Sequence, residues 1–344
     1  MGQYYDGTKL LSMRDLNNKK PELYLVTTNR TGGKTTYFSR LLVNRFIKKN
    51  EKFALLYRYN YELDDIADKF FKDIKTLFFP TYEMESKRKA KGVFHELFLN
   101  GETCGYAISM NSSDQLKKYS HLFSDVQSIL FDEFQSETNH YCSDEIKKFI
   151  SIHTTIARGQ GKQTRYVPVF MCGNTVSIIN PYYIALGITN RLHDNTVFLR
   201  GNGYILEQGF IETASKAQLE STFNQAFASD KYVAYSSQNV YLNDSTAFIE
   251  KPCGKSTYIC SLIYNGKLYA IKEFADNNII YCDDKPDVSY PLKISVTSED
   301  HNINYVMLKR NSFIIENLRD LFEKGCLRFK DNLCKEAILT ALSY

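Results

Sequence analysis

The stretch Glu22-Leu-Tyr-Leu-Val-Thr-Thr-Asn-Arg-Thr-Gly-Gly-Lys-Thr-Thr36 decides how the rest of the chain is read. An apolar, β-prone run feeds a short turn that ends Gly33-Lys34-Thr35 and opens into an amphipathic segment. Strand, glycine-containing turn and helix in that order are what a phosphate-binding loop requires. Backbone N–H groups of the turn and of the helix start would point at the β- and γ-phosphates of a nucleotide. Lys34 would bridge those phosphates, and the Thr35 hydroxyl would hold Mg²⁺. The helix rests on Phe38, Leu42, Val43, Phe46 and Ile47, which share one face at helical spacing, with Asn44, Arg45 and Lys48 opposite. The candidate ATP-binding set is therefore Thr28, Asn29, Arg30, Thr31, Gly32, Gly33, Lys34, Thr35 and Thr36. One departure stands out: Thr28 occupies the place of the first glycine in G-x-x-x-x-G-K-[ST].

Outward from the loop, composition sets bounds. The chain has 344 residues, enough for two domains or one with a substantial appendage. No apolar run approaches the roughly 20 residues that span a bilayer, and Met1 to Asp6 lacks the apolar region of a signal peptide. A membrane role is not expected. The eight cysteines include no C-x-x-C pair and no zinc-like cluster with histidine, so reduced thiols are expected. A net charge of +4 permits a nucleic-acid partner without indicating one.

After the loop helix, Lys52 to Arg58 reads as a strand and Glu62 to Lys75 as a charged helix. Gly105 to Met110, Ser128 to Glu133 and Tyr166 to Cys172 read as further strands. Strands alternating with helices predict an α/β sheet, mostly parallel and covered on both faces. Ligands of such sheets sit beyond the carboxyl ends of the strands. Past residue 200 the texture changes to turns and a polar helix over Ala214 to Ala228, then to short aromatic strands. Asn265-Gly266 between Tyr258–Ile263 and Lys267–Phe274 is a strong hairpin signal. Helices are expected from Ser312 to Lys324 and from Asp331 to Leu342. The expected division is a first domain over 1–200, a linker or lid over 201–230 and a smaller α+β domain over 231–344.

Asp132-Glu133, closing an apolar strand, supplies what a nucleotide hydrolase needs opposite its phosphate loop. The first carboxylate would hold Mg²⁺, and the second would polarise the attacking water as general base. Asn174, in the Gly173-Asn174-Thr175 turn after the next strand, is placed to sense the γ-phosphate or the lytic water. Arg158, in a loop between these two strands, is the first candidate for an arginine finger; Arg191 is the second. Lys87, Arg88, Lys89 and Lys91 form the densest basic cluster, which in a DNA motor would face the phosphate backbone.

Taken together, these residues resemble the viral DNA-packaging ATPases, close to the encapsidation proteins of φ29-like short-tailed phages and related to terminase large subunits. The resemblance rests on Thr28 to Thr35, on Leu130 to Glu133, and on Gly173 to Thr175 followed by Asn180 to Tyr183. Packaging ATPases commonly carry an arginine inside the phosphate loop, as Arg30 does here, and tolerate a non-glycine first position. The motifs cover about residues 20–200; beyond them the likeness is one of length and layout. It implies a P-loop NTPase of the additional-strand catalytic-glutamate type that hydrolyses ATP in a homo-oligomeric ring. That ring would drive double-stranded DNA into a preformed capsid. It implies docking on the capsid portal in the host cytoplasm, with a structural packaging RNA as a further candidate partner.

The resemblance also implies an RNase-H-like second domain. Terminases use clustered acids there to hold two metals and cut DNA. Here the first hairpin has a single acid, Glu273, near its end, and Asp276, Asp283, Asp284 and Asp287 come later, near turns. A degenerate nuclease fold serving as a docking module is expected. A terminase with a working endonuclease and another DNA translocase or helicase are the alternatives.

Overall fold

The computed structural model describes residues 4–138, 140–159, 161–189, 191–192, 196–242, 248–307 and 312–342, with the side chains of 64–68, 312 and 315 outside that description. The chain divides into two compact units, residues 1–244 and 245–344. That boundary falls later than the one expected from sequence, because the whole of 201–230, assigned to a linker or lid, and residues 231–244 after it belong to the first unit.

The first unit is built on nine strands: β1 (Leu23–Thr27), β2 (Lys52–Tyr57), β3 (Met84–Lys89), β4 (Phe94–Leu99), β5 (Glu102–Ser109), β6 (Val126–Phe131), β7 (Val169–Gly173), β8 (Phe198–Arg200) and β9 (Tyr204–Gln208). They lie in the order β3-β4-β5-β2-β6-β7-β1-β9-β8. The six central strands, β5 to β9 in that order, run parallel. The hairpin β3–β4 extends one side antiparallel to β5, and β8 closes the other side antiparallel to β9. Two consequences matter for the site. The strand β7 sits between β1, which ends in the glycine turn, and β6, which ends in the two carboxylates. And β9, inside the expected linker, pairs with β1 over its whole length.

Parallel strands covered on both faces read as continuous apolar runs, and β1, β2, β6 and β7 do so, each with four or five fully buried residues. The helix Lys34–Lys49 packs Phe38, Leu42, Val43 and Phe46 on one face of the sheet. The helix Glu145–Ile156 packs Phe149, Ile152 and Ile156 on the other. Sequence reading missed β3 and β4: β3 is the edge strand Met-Glu-Ser-Lys-Arg-Lys, largely exposed, with no apolar run to betray it.

The second unit holds β10 (Thr257–Tyr264), β11 (Lys267–Phe274), β12 (Ile279–Asp283), β13 (Lys293–Ser295), β14 (Val306–Met307) and β15 (Leu327–Phe329) in the order β14-β13-β10-β11-β12-β15. The expected hairpin is β10–β11, turned by Asn265 at φ +50° and Gly266 at φ +71°, the left-handed pair a two-residue hairpin turn requires. β10, β11 and β12 are antiparallel, whereas β13 runs parallel to β10 and β14 parallel to β13. Helices Ser312–Glu323 and Asn332–Leu342 cover this sheet with Leu318, Cys334, Ala337 and Ile338.

Candidate nucleotide site

At the carboxyl end of β1 the chain turns through Thr28 to Gly33. Gly33 takes φ +88°, a left-handed value that a glycine adopts at no steric cost, whereas the β-branched Thr31 takes φ +59°, a strained value for such a side chain. A Cβ on Gly32 would lie 2.9 Å from Ile211 Cγ1, so the tight packing of this turn requires its second glycine as well. Thr28 and Asn29 are fully buried. The Asn29 side chain exchanges two hydrogen bonds with the Ile211 backbone, at 2.9 and 3.1 Å. A glycine at position 28 would add freedom to a turn already tied to the segment after β9.

The side chains expected to meet do meet. Lys34 Nζ donates to Asn174 Oδ1 at 2.6 Å and reaches Thr28 Oγ1 at 3.4 Å. Thr35 Oγ1 donates to Asp132 Oδ1 at 3.0 Å, and the Glu133 N–H donates to the same oxygen at 3.0 Å. Burial lowers the Lys34 ammonium from its ordinary range, with Asp132 pulling the other way. Burial first, and the adjacent Glu133 second, push the Asp132 carboxyl up to about 6. A carboxylate and a hydroxyl converging in a half-buried corner form a hard-oxygen donor set that fits Mg²⁺, and a divalent cation would compensate the charge that desolvation opposes. Glu133 is exposed and non-glycine, yet its φ is +53°, a conformation that costs about 1–3 kcal/mol and persists only where neighbours over-determine it. A cavity of about 530 Å³ opens beside these groups, lined by Thr31, Thr35, Tyr57, Arg58, Asp132 and Glu133. The acid turn is fastened to the Asn174 turn: Gln135 Oε1 accepts from the N–H groups of Val176 and Ser177 at 3.1 and 3.0 Å.

Both candidate finger arginines lie away from this site. The helix Glu145–Ile156 runs back across the sheet, so Arg158 emerges exposed at the amino-terminal edge of the strands. There Arg165 donates to the carbonyl of Val126, the first residue of β6. The length of β6, about 20 Å at the usual rise of a strand, separates that edge from Asp132. Arg191 donates to the Tyr204 hydroxyl at 2.8 Å and the Arg200 carbonyl at 2.7 Å, also at the beginning of a strand. Neither reaches the phosphate site of its own chain. The basic cluster divides as well. Lys87 pairs with Glu85 at 3.3 Å and Lys89 with Glu96 at 3.1 Å, whereas Arg88 and Lys91 line a cavity of about 310 Å³ with Asn60, Tyr61 and Gln115.

Other residues at the site gave no sequence signal. The Tyr5 N–H donates to the Gly32 carbonyl at 2.8 Å and its hydroxyl to Glu207 at 2.7 Å, strapping the amino-terminal segment over the turn. Arg30 pairs with Glu137 at 2.7 Å and contacts the Tyr232 hydroxyl. Tyr235 donates to the same Glu137 at 2.6 Å, and the Arg30 N–H donates to the Ser236 carbonyl at 3.0 Å. Helix Lys231–Gln238 is thus fastened to the glycine turn. Arg58, following β2, reaches the carbonyls of Glu133 and Phe134.

The sequence profile of the podovirus DNA encapsidation protein (Gp16) family matches residues 2–342. The chain belongs to that family. It is accordingly a viral DNA-packaging protein of the φ29 type. The family member from Bacillus phage phi29, a DNA packaging protein, is 25% identical over 336 residues, spanning 96% of this chain and 95% of the relative. The one from Bacillus phage B103 is 27% identical over 311 residues, 88% and 91% of the two chains. In structure, this Gp16-family chain is similar to a chain of the bacteriophage Phi-29 viral genome packaging motor assembly, with a TM-score of 0.72 at 22% identity over 99% of this chain and 100% of that one. It is also similar to a chain of the Phi-28 gp11 DNA packaging motor, with a TM-score of 0.61 at 15% identity over 100% and 99%.

Proposed function

We propose that this protein is the ATP-hydrolysing subunit of a motor that drives double-stranded viral DNA into a preformed capsid. The observation that carries the reading is the convergence of Lys34, Thr35, Asp132, Glu133 and Asn174 on one corner at the carboxyl ends of β1, β6 and β7. The placement of β7 between β1 and β6 supports assignment to the additional-strand, catalytic-glutamate class of P-loop NTPases. In this reading the turn from Thr28 to Thr36 holds the phosphates, and Lys34 exchanges its Asn174 contact for them. Mg²⁺, held by Thr35 and Asp132, supplies charge neutralisation on the phosphates when bound. Glu133 takes the proton of the attacking water, and Asn174 reports the γ-phosphate. Arg158 serves the site of a neighbouring subunit in a homo-oligomeric ring, since its own lies across the sheet.

Arg88 and Lys91 are the members of the basic cluster offered to DNA phosphates. The second unit is read as a degenerate RNase-H-like domain, on the run β14-β13-β10-β11-β12 within its six strands, three antiparallel strands continued on one side by two parallel ones, with β15 added beyond β12. Its acids support a docking role over cleavage. Asp283 is paired with Lys272 at 2.6 Å and Asp284 with Lys330 at 2.5 Å. Among the described residues no three His, Cys, Asp or Glu side chains gather as a metal site. The portal of the capsid, a structural RNA and DNA are the partners proposed for it, the motor docking on the portal vertex in the host cytoplasm.

The test is packaging of DNA into emptied capsids with purified protein, ATP and Mg²⁺. Lys34→Ala should lose both packaging and phosphate release, because the phosphates lose their charge partner inside the turn. Near-normal ATP turnover in that variant would sink the assignment.

A further inference from the structure

The left-handed backbone of Glu133 needs something to hold it, and the structure supplies one side chain placed to do so. Arg58 is 8% exposed and directs all three of its guanidinium nitrogens at neighbours. One Nη donates to the Glu133 carbonyl at 2.7 Å and the other to the Phe134 carbonyl. Its Nε donates to Glu145 Oε1 at 3.0 Å and Oε2 at 3.2 Å. The guanidinium lies over the Phe131 ring at 5.3 Å and the Tyr141 ring at 4.9 Å. Its partner Glu145 is 4% exposed and equally committed, accepting from the Tyr182 hydroxyl at 2.7 Å and the Cys142 N–H at 2.8 Å. Glu145 is the first residue of the helix Glu145–Ile156, and Tyr182 lies in the helix Pro181–Ala185 that follows the Asn174 turn.

We propose that Arg58 is a positioning residue for hydrolysis: its fork fixes the Glu133 and Phe134 peptides to the Glu145 carboxylate and so aims the Glu133 side chain at the attacking water. The inference rests on the reading of Glu133 as general base. The argument is geometric. The Glu133 peptide is held from both sides, its N–H by Asp132 and its carbonyl by Arg58. The Glu133 side chain itself is exposed and, among the described residues, is held by no ion pair, so its direction is set through the backbone. Only a planar fork reaches two successive carbonyls and a carboxylate at once; a lysine ammonium is a point charge and does not. The Phe131 and Tyr141 rings fix the plane of that fork.

The experiment is steady-state and single-turnover ATP hydrolysis by the full-length protein carrying Arg58→Lys, Glu145→Gln, Glu133→Gln, and Arg58→Lys with Glu133→Gln. Arg58→Lys keeps the charge beside Glu145 and removes the fork. It should lower kcat by about 10²-fold, the effect of misplacing a catalytic group by an ångström, with KM and nucleotide affinity within about threefold of wild type. In the Glu133→Gln background the same substitution should cost nothing more, since there is no base left to aim. An unchanged kcat for Arg58→Lys overturns the proposal, as does a full further loss in the double variant, which marks a structural role. If Arg58→Lys does not fold, Glu145→Gln stands in. It loosens the same fork from its far end and should lower kcat about tenfold at constant KM; an unchanged kcat overturns the proposal. Wild-type hydrolysis by Glu133→Gln overturns the base reading itself, and with it this inference, and that result is distinct from each of the others.

Discussion

Lys34, at the start of the helix that follows β1, and Asn174, just past the neighbouring parallel strand β7, are joined by a 2.6 Å hydrogen bond. The ammonium is buried and its charged form is disfavoured by that burial, so the amide oxygen provides the partner that a nucleotide phosphate would otherwise provide. On the proposed reading, phosphate arrival and release of Asn174 would be one exchange at one nitrogen. Asn174→Ala removes the competitor and leaves Lys34 without it. The expected result is ATP affinity equal to or above wild type, with hydrolysis slowed about tenfold or more if the amide also orders the water. Equilibrium binding of a fluorescent ATP analogue, read beside phosphate release, separates the two effects. Weaker binding would show that Asn174 contributes to the nucleotide pocket and not to a sensor.

Glu133→Gln should retain ATP without releasing phosphate, because an amide does not accept the proton of water. Arg158→Ala should bind ATP normally and hydrolyse it about 10³-fold more slowly, the scale of known arginine fingers. Mixing the two variants should restore part of the turnover. Assemblies of both contain interfaces where an intact Glu133 meets an intact Arg158. No rescue at any mixing ratio would argue against action between subunits.

Arg88→Ala and Lys91→Ala should weaken DNA-stimulated hydrolysis and flatten its dependence on salt, as loss of phosphate contacts does. Lys87→Ala and Lys89→Ala should change both less, since those ammoniums are already paired with Glu85 and Glu96. Equal effects from all four would show that the cluster acts only as a diffuse positive field.

Partial burial pushes the Glu336 carboxyl, on the helix Asn332–Leu342, up to about 7 from 4.5, its hydrogen bond from Tyr264 offsetting only part of that. Below pH 4.5 the carboxyl is protonated in both folded and unfolded chains. Between 4.5 and 7 only the unfolded chain loses the proton, so the stability of the second unit falls as pH rises through that window and is level above it. Amide hydrogen exchange of the helix, followed across this range, should show that slope in the wild type and not in Glu336→Gln. A wild-type profile that is flat or rises would contradict the assignment.

How much of this was legible beforehand differs by element. The strand β1, the glycine turn and the helix after it were readable because one local pattern specifies all three. Asp132, Glu133 and Asn174 were readable because each ends an apolar run that has to be a buried strand. The edge strand β3 was not, since Met84 to Lys89 carries no alternation and owes its place to pairing with β4. Nor was β9, whose glycine-flanked five residues, Tyr204 to Gln208, look like linker until they pair with β1. Arg58 and Glu137 act through partners 75 to 107 residues distant, and no spacing rule covers such distances. The direction of Arg158 was hidden for a similar reason. Its loop was visible, but the edge of the sheet at which the loop emerges depends on the helix that carries it there.

That helix has a consequence for symmetry. It takes the chain from the edge of the sheet at the carboxyl ends of the strands, at Glu145, to the opposite edge, at Arg158. A contact that brings the Arg158 edge of one copy to the Lys34 edge of the next joins unlike surfaces, so it is polar, with a front and a back. Repeated, such a contact either closes after a whole number of copies or grows without end. Only closure gives every site a donor. A single unclosed chain of subunits leaves one nucleotide site unserved at one end and one arginine idle at the other.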